Sequence, residues 1–247
     1  MTSCELQALR RSLRVYHDDK ARQAAMDTLY RRFLKPDDLA FDIGAHVGDR
    51  TSSFRRLGCR VVALEPQPLP ARAMRLIHGR DSLVTVLQAA AGPGEGTLTL
   101  HVNSRNPTVS TASADFVAAA RGAGGWEGQV WDRTIEVPSF TVDNLIERFG
   151  KPAFVKIDVE GFEAEVLAGL GQPVAALSFE FTTIQREVAL RCVRRLSALA
   201  PYRFDIALGE SQQLTFEEPI SADEMCGYII ALAHEANSGD VYAMLRR

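Results

Sequence analysis

Leu39-Ala40-Phe41-Asp42-Ile43 runs straight into Gly44-Ala45-His46-Val47-Gly48-Asp49, and a second apolar run downstream stops at Glu65. A strand that ends at a glycine-rich turn, answered by a carboxylate at the tip of the next strand, points to an open α/β sheet. Such sheets bind ligands beyond the carboxyl ends of their strands. The glycine spacing narrows the ligand. A pyrophosphate turn uses three glycines in G-x-G-x-x-G/A, whereas only Gly44 and Gly48 occur here, flanked by Asp42 and Asp49. Both glycines are expected to let the backbone approach the ligand where a Cβ would collide.

Two acids around the turn suit a cationic nucleoside better than a diphosphate, and Glu65 suits a pair of ribose hydroxyls. S-adenosylmethionine, with its ammonium and sulfonium charges, fits that description. A nicotinamide-dependent oxidoreductase is disfavoured by the missing third glycine.

The remaining chain keeps the rhythm of such a sheet. Short β-rich runs at Arg60 to Leu64, Val84 to Gln88, Phe154 to Ile157, Ala176 to Phe181 and Arg203 to Leu208 alternate with helical stretches. A last strand, Asp240 to Leu245, is expected to close the edge. Residues 3–34 read as two helices separated near Tyr16-His17-Asp18-Asp19, within an N-terminal helical appendage of residues 1–36 that would cover one side of a site. Residues 91–138 interrupt the alternation. A turn cluster leads to the alternating Thr97 to Val102, then to a long polar segment carrying Trp126 and Trp131, which reads as an inserted hairpin and lid with the tryptophans as a substrate wall. One domain, residues 1–247, accommodates all of this.

A formal net charge of -3 gives no general electrostatic reason to bind nucleic acid or an anionic membrane. The basic clusters around Arg10, Arg31 and Arg194 read as solvated helix faces. Cys4, Cys59, Cys192 and Cys226 form neither a C-x-x-C pair nor a ligand cluster, and Met1 to Glu5 lacks the basic start of a secretory signal. No apolar run is long enough to span a bilayer. A cytoplasmic setting is the expectation.

Lys156-Ile157-Asp158-Val159-Glu160-Gly161-Phe162-Glu163 adds a second specific signal. Taken in order with Asp42 to Asp49, Glu65-Pro66 and Thr141-Val142-Asp143, it makes the chain resemble the FkbM family of S-adenosylmethionine-dependent methyltransferases. The resemblance extends from about Leu39 to Phe181. It implies the class I methyltransferase fold, a Rossmann-like, mostly parallel seven-stranded sheet flanked by helices, and O-methylation of a secondary metabolite, sugar or glycolipid. His46 departs from the pattern, which usually has asparagine there; a neutral imidazole still donates one hydrogen bond.

The expected cofactor contacts are Asp42, Gly44, Ala45, His46, Gly48, Thr51, Glu65 and Pro66, with Gln88 and Ala89 at the adenine edge. Ser110, Thr111 and Ser113 read either as cofactor hydroxyls or as caps of a short helix. Asp158, Glu160 and Glu180 are expected at strand ends facing one crevice, where a carboxylate can take the proton of an attacking hydroxyl. Lys156 alternates with Asp158 on the same strand and is expected to pair with it or to orient a substrate oxygen. The same acids have the chemistry to hold Mg²⁺, although no metal is expected. The acceptor is a small or medium hydroxylated molecule, with S-adenosylhomocysteine as the other product. The alternatives are an N-methyltransferase of the same architecture and a non-catalytic cofactor-binding module.

Overall fold

A computed structural model describes residues 3–246; Met1, Thr2 and Arg247, the first two within the N-terminal appendage, lie outside the described residues. Seven strands form the main sheet: β1 (Leu39–Ile43), β2 (Arg60–Leu64), β3 (Val84–Leu87), β7 (Phe154–Ile157), β8 (Ala176–Thr182), β9 (Tyr202–Leu208) and β10 (Ser238–Leu245). Their spatial order is β3-β2-β1-β7-β8-β10-β9. The chain winds outward from β1 to β3 and returns to β7 on the other side of β1, so the carboxyl ends of β1 and β7 flank the switch point at which such sheets bind ligands.

Every residue of β1 and β7 is buried, as expected of strands covered on both faces. Phe41, Ile43, Val155, Ile157, Leu177 and Phe179 pack in one core with helix α8 (Arg186–Leu199). The opposite face carries Ala40, Ala63 and Phe154 against Met26, Leu29 and Tyr30 of α2 (Lys20–Tyr30). The appendage is therefore one wall of the core. It consists of α1 (Ser3–His17) and α2, separated as the polar Tyr16 to Asp19 stretch predicts, and Asp19 caps α2 by accepting from the Arg22 amide.

Two expectations need correction. The last strand does not close the edge: β10 lies between β8 and β9, antiparallel to both, and β9 is the edge strand. Its run from Gly239 to Ala243 is buried residue after residue, the signature of an interior strand. Strand β3 stops at Leu87, leaving Gln88 exposed beyond it. The insertion builds a second sheet, β4 (Ala90–Ala91), β5 (Gly96–Val102) and β6 (Arg133–Phe140), in which β5 and β6 form an antiparallel ribbon. Among the described residues no helix is long and apolar enough to cross a membrane.

Candidate functional site

A cavity of about 980 Å³, counting its open mouth, lies over the carboxyl ends of β1, β2, β7 and β8. At the β1–β2 end, Glu65 sits at the strand tip, almost wholly buried. Its Oε2 accepts from the His46 amide at 2.9 Å and its Oε1 from the Gln67 amide at 2.8 Å. A carboxylate offers about four acceptor positions, so these two bonds fix its plane and leave two positions for a ligand's hydroxyls. Burial pushes its pKa up to about 8, against the pull of the two amides. Asp42 is equally buried and accepts from the Thr51 hydroxyl at 2.5 Å; burial raises it to about 6. Thr51 itself is fully buried and holds Asp42 in place rather than lining the cavity.

The glycines serve a different neighbour from the one expected. A Cβ on Gly44 would lie 1.7 Å from the Asp158 carbonyl oxygen, and Gly44 has φ +83°, so the missing side chain lets the β1 turn press against the β7 turn. The Asp158 amide donates to the Ile43 carbonyl at 2.9 Å, joining the same two turns. Gly48, with φ +82°, faces Met74 and His78 of helix α4 (Pro68–His78). Gly44 also lines the cavity, whereas Gly48 does not. Asp49, expected to attract a cation, is already paired with Arg22 at 2.9 Å and Arg50 at 2.7 Å.

The β7–β8 end is built from charge. Lys156, wholly buried, reaches Asp158 at 3.1 Å and Asp240 of β10 at 2.8 Å. Burial would lower its pKa, but the two carboxylates hold it well above the ordinary lysine value. Burial likewise works to raise Asp158, yet Lys156 and then Arg50 keep that carboxyl below its ordinary value. Glu160 and Glu180 lie beside it, and Asp158, Glu160 and Glu180 each place one carboxylate oxygen within 4.8 Å of the others. Burial, then the Asp158 charge, raises both glutamates well above the ordinary range, so the cluster favours carrying a proton. Three carboxylates without imidazole or thiolate form a donor set suited to a hard divalent cation.

The insertion roofs this cavity. Gln67 donates to the Pro107 carbonyl at 2.8 Å and accepts from the Ser110 hydroxyl at 3.2 Å, while Thr111 donates to the Glu160 carbonyl at 2.7 Å. Ser113 caps α5 (Ala114–Ala120) through the Phe116 amide, the helix-cap reading of that residue. Trp126 and Trp131 do not line the cavity. Their rings stand edge-on to Phe116, with centroids at 5.1 and 6.0 Å, and Trp131 donates to the Val109 carbonyl. They hold the roof together instead of facing a substrate.

Of the residues singled out from the sequence, Asp42, Gly44, Ala45, His46, Glu65, Pro66, Ala89, Asp158, Glu160 and Glu180 line this one cavity, while Gly48, Thr51, Gln88 and Lys156 stand outside it. Sequence reasoning missed Tyr16 of α1, Arg50 and Glu210, which also line it. Arg50 and Arg22 both bond Glu210, at 3.3 and 2.9 Å, so a loop after β9 is tied across the sheet to the turn after β1. A contact between residues so far apart in the chain leaves no trace in local spacing. His46 has both ring nitrogens buried without a partner among the described residues, its ring edge-on to Tyr16 at 5.7 Å, and burial lowers its pKa to about 4. It is a neutral imidazole aimed into the cavity with its hydrogen-bonding capacity unspent.

A family model described as the Methyltransferase FkbM domain matches residues 42–206, more than half of the chain, including the carboxyl ends of β1, β2, β7 and β8 over which the cavity lies. Among solved structures, the fold is similar to a precorrin-6y C5,15-methyltransferase from Geobacter metallireducens GS-15, at 15% identity over 91% of this chain and 87% of that one, with a TM-score of 0.46. It is also similar to a TehB-like SAM-dependent methyltransferase from Corynebacterium glutamicum ATCC 13032, at 9% identity over 98% of each chain, with a TM-score of 0.48. No curated protein matches the chain.

Proposed function

The chain belongs to the FkbM methyltransferase family, and from that premise we propose that it is an O-methyltransferase using S-adenosylmethionine to methylate a hydroxyl of a small or medium acceptor. The observation that carries the reading is the coexistence, in one cavity, of a bonded carboxylate at the β2 tip and a cluster of three carboxyl groups, Asp158, Glu160 and Glu180, at the ends of β7 and β8. S-adenosylmethionine supplies an electrophilic methyl group on a sulfonium. The donor chemistry fits that cofactor. Glu65 has two acceptor positions left for ribose hydroxyls, Ala89 and Pro66 offer apolar contact nearby, and the acid-rich lining suits its positive charges.

The chain's own residues would align, shield and deprotonate. The rigid turns joined at Gly44 and Asp158 fix the distance between the two ends of the cavity, and orientation of this kind is worth roughly 7 kcal/mol or more over a bimolecular encounter. Asp158, pinned and ionised by Lys156, orients the acceptor. With a single proton on the Glu160–Glu180 pair, the carboxylate left ionised takes the hydroxyl proton as the oxygen attacks the methyl group. The insertion, latched through Gln67 and Thr111, keeps water out. Incubation with S-adenosylmethionine and a panel of hydroxylated metabolites, read by mass spectrometry, tests the assignment: a methyl ether product is expected, and turnover confined to amines would overturn it. The same carboxylates favour one second reading, N-methylation of an acceptor held as an ammonium. The four free cysteines fit a cytoplasmic setting.

A further inference from the structure

The sequence assigns the arginine cluster around Arg10 to a solvated helix face, but in the structure that face lies beside a second helix, α4, which carries arginines of its own. Along α1, Arg10, Leu13, Arg14 and His17 recur at helical spacing and form one stripe; with Asp18 and Ile77 of α4 they line a groove between the two helices. Helix α4 continues the pattern. Between Pro66 and Arg80 the chain carries Arg72, Arg75 and Arg80 and no acid. Arg10, Arg14, Arg72, Arg75 and Arg80 are all exposed, and among the described residues none of them has an ion-pair partner. The acids at the rim are Asp18, facing the groove, and Asp81, engaged by Arg55 at 2.7 Å.

A solvated face has no use for large aliphatics, yet Leu76 is 79% exposed, Val15 54% and Ile77 46%. Of the six large hydrophobics left exposed among the described residues, four (Val15, Leu76, Ile77 and Leu83) lie on α1, α4 or the turn after α4. We propose that this α1/α4 face docks the protein onto an anionic lipid surface, with Leu76 and Ile77 entering the acyl boundary and the unpaired arginines meeting lipid phosphates. The pairing of aliphatic tips with a cationic rim is what a lipid interface rewards, since each arginine near an anionic leaflet gains electrostatically while its stem covers apolar surface. The formal net charge of -3 averages over the whole molecule and does not describe this face.

Other occupants fit less well. A second copy meeting its twin through a two-fold interface would set unpaired arginines against each other. A nucleic acid would find phosphate partners but no aromatic platform, because Tyr16 points into the cavity, and Leu76 and Ile77 would gain nothing. The face also adjoins the cavity: His17 Nε2 lies 2.9 Å from the Val47 carbonyl and His78 Nε2 3.3 Å from the Ser52 hydroxyl, both on the turn and helix that follow β1. The docking is independent of which acceptor atom is methylated.

Vesicle co-sedimentation of the full chain tests it. Vesicles of phosphatidylcholine with phosphatidylglycerol should bind the protein, phosphatidylcholine alone should not, and added salt should weaken the binding. The double variant Leu76→Asp/Ile77→Asp and the triple variant Arg10→Gln/Arg14→Gln/Arg75→Gln should each lower the bound fraction about tenfold or more. Ile230→Asp, an exposed change on α9 (Ala222–Ala231) at the opposite edge of the sheet, should leave it unchanged. Thermal melts and S-adenosylhomocysteine titration verify that each variant is folded, and the arginine variant decides the matter if the aliphatic one is not. The proposal is overturned by absent binding, by equal binding to both vesicle types, by binding that survives both variants, by a dimer in sedimentation velocity that the Leu76/Ile77 variant dissolves, or by oligonucleotide binding that only the arginine variant abolishes.

Discussion

The two ends of the cavity use the same side chain for opposite purposes. At the β2 tip, Glu65 is fastened by two backbone amides, and Asp42 by one hydroxyl, with no ion pair on either among the described residues. At the tips of β7 and β8, Asp158 leans on a buried lysine, and Glu160 and Glu180 are crowded by like charge. Neutral donors fix a carboxylate's orientation without fixing its charge, which suits the recognition of hydroxyls. Crowded acids hold a proton that can be exchanged, which suits chemistry. A carboxylate's role in this fold follows from the partners that hold it.

The contrast is most exposed to attack at Lys156. Replacing it by Met leaves Asp158 and Asp240 without their shared cation in a buried setting, and unfolding in urea should show a loss of about 3 kcal/mol or more. Glu65→Gln, which removes no ion pair, should move the same midpoint far less; equal losses would erase the distinction. Next in size, Glu160→Gln combined with Glu180→Gln should lower kcat roughly 10²-fold or more while S-adenosylhomocysteine still binds. Unchanged turnover in the double variant would move the base to Asp158 or His46.

Glu65→Gln should then weaken S-adenosylhomocysteine binding by about 1.5 to 3 kcal/mol, measured by calorimetric titration, with the double glutamine variant as the unaffected reference. The smallest effect concerns pH. Glu65 ordinarily titrates near 4.5 and here near 8, so the folded chain binds the extra proton and loses stability as pH rises through that window. The slope cannot exceed about 1.4 kcal/mol per pH unit for one group. Melting temperatures of the ligand-free protein should fall from pH 5 to 8, and the fall should flatten in Glu65→Gln; a rise would reverse the assignment of the burial effect.

The strands of the sheet, the break between α1 and α2 and the inserted ribbon were legible because hydrophobic period and glycine punctuation are local signals. Position within the sheet was not: β10 reads as one more short apolar run, and nothing in Asp240 to Leu245 says that it wedges between β8 and β9. The glycine turn and the acid motif were legible as ordered motifs, and Asp42, Glu65 and Asp158 do meet in one cavity. What the glycines touch was not, because the neighbour of Gly44 is more than a hundred residues away in the chain. Trp126 and Trp131 misled for a different reason: their partner, Phe116, is close in the chain, but nothing in a polar segment says that its few aromatic rings pack on one another.

The wedge made by β10 also sets the order in which the sheet can be completed. As the chain is synthesised, β1, β2, β3 and β7 can already pair with one another, whereas β9 has β10 as its one neighbour in the main sheet and must wait for residues 238–245 to emerge. Until then β8 shows an open edge, and Lys156 lacks Asp240. Unpaired edges with apolar faces are what chaperones recognise and what aggregates. The half of the sheet around β1 can therefore be assembled while β8 is still an open, adhesive edge, and β10 acts as the clasp that ends that vulnerable interval.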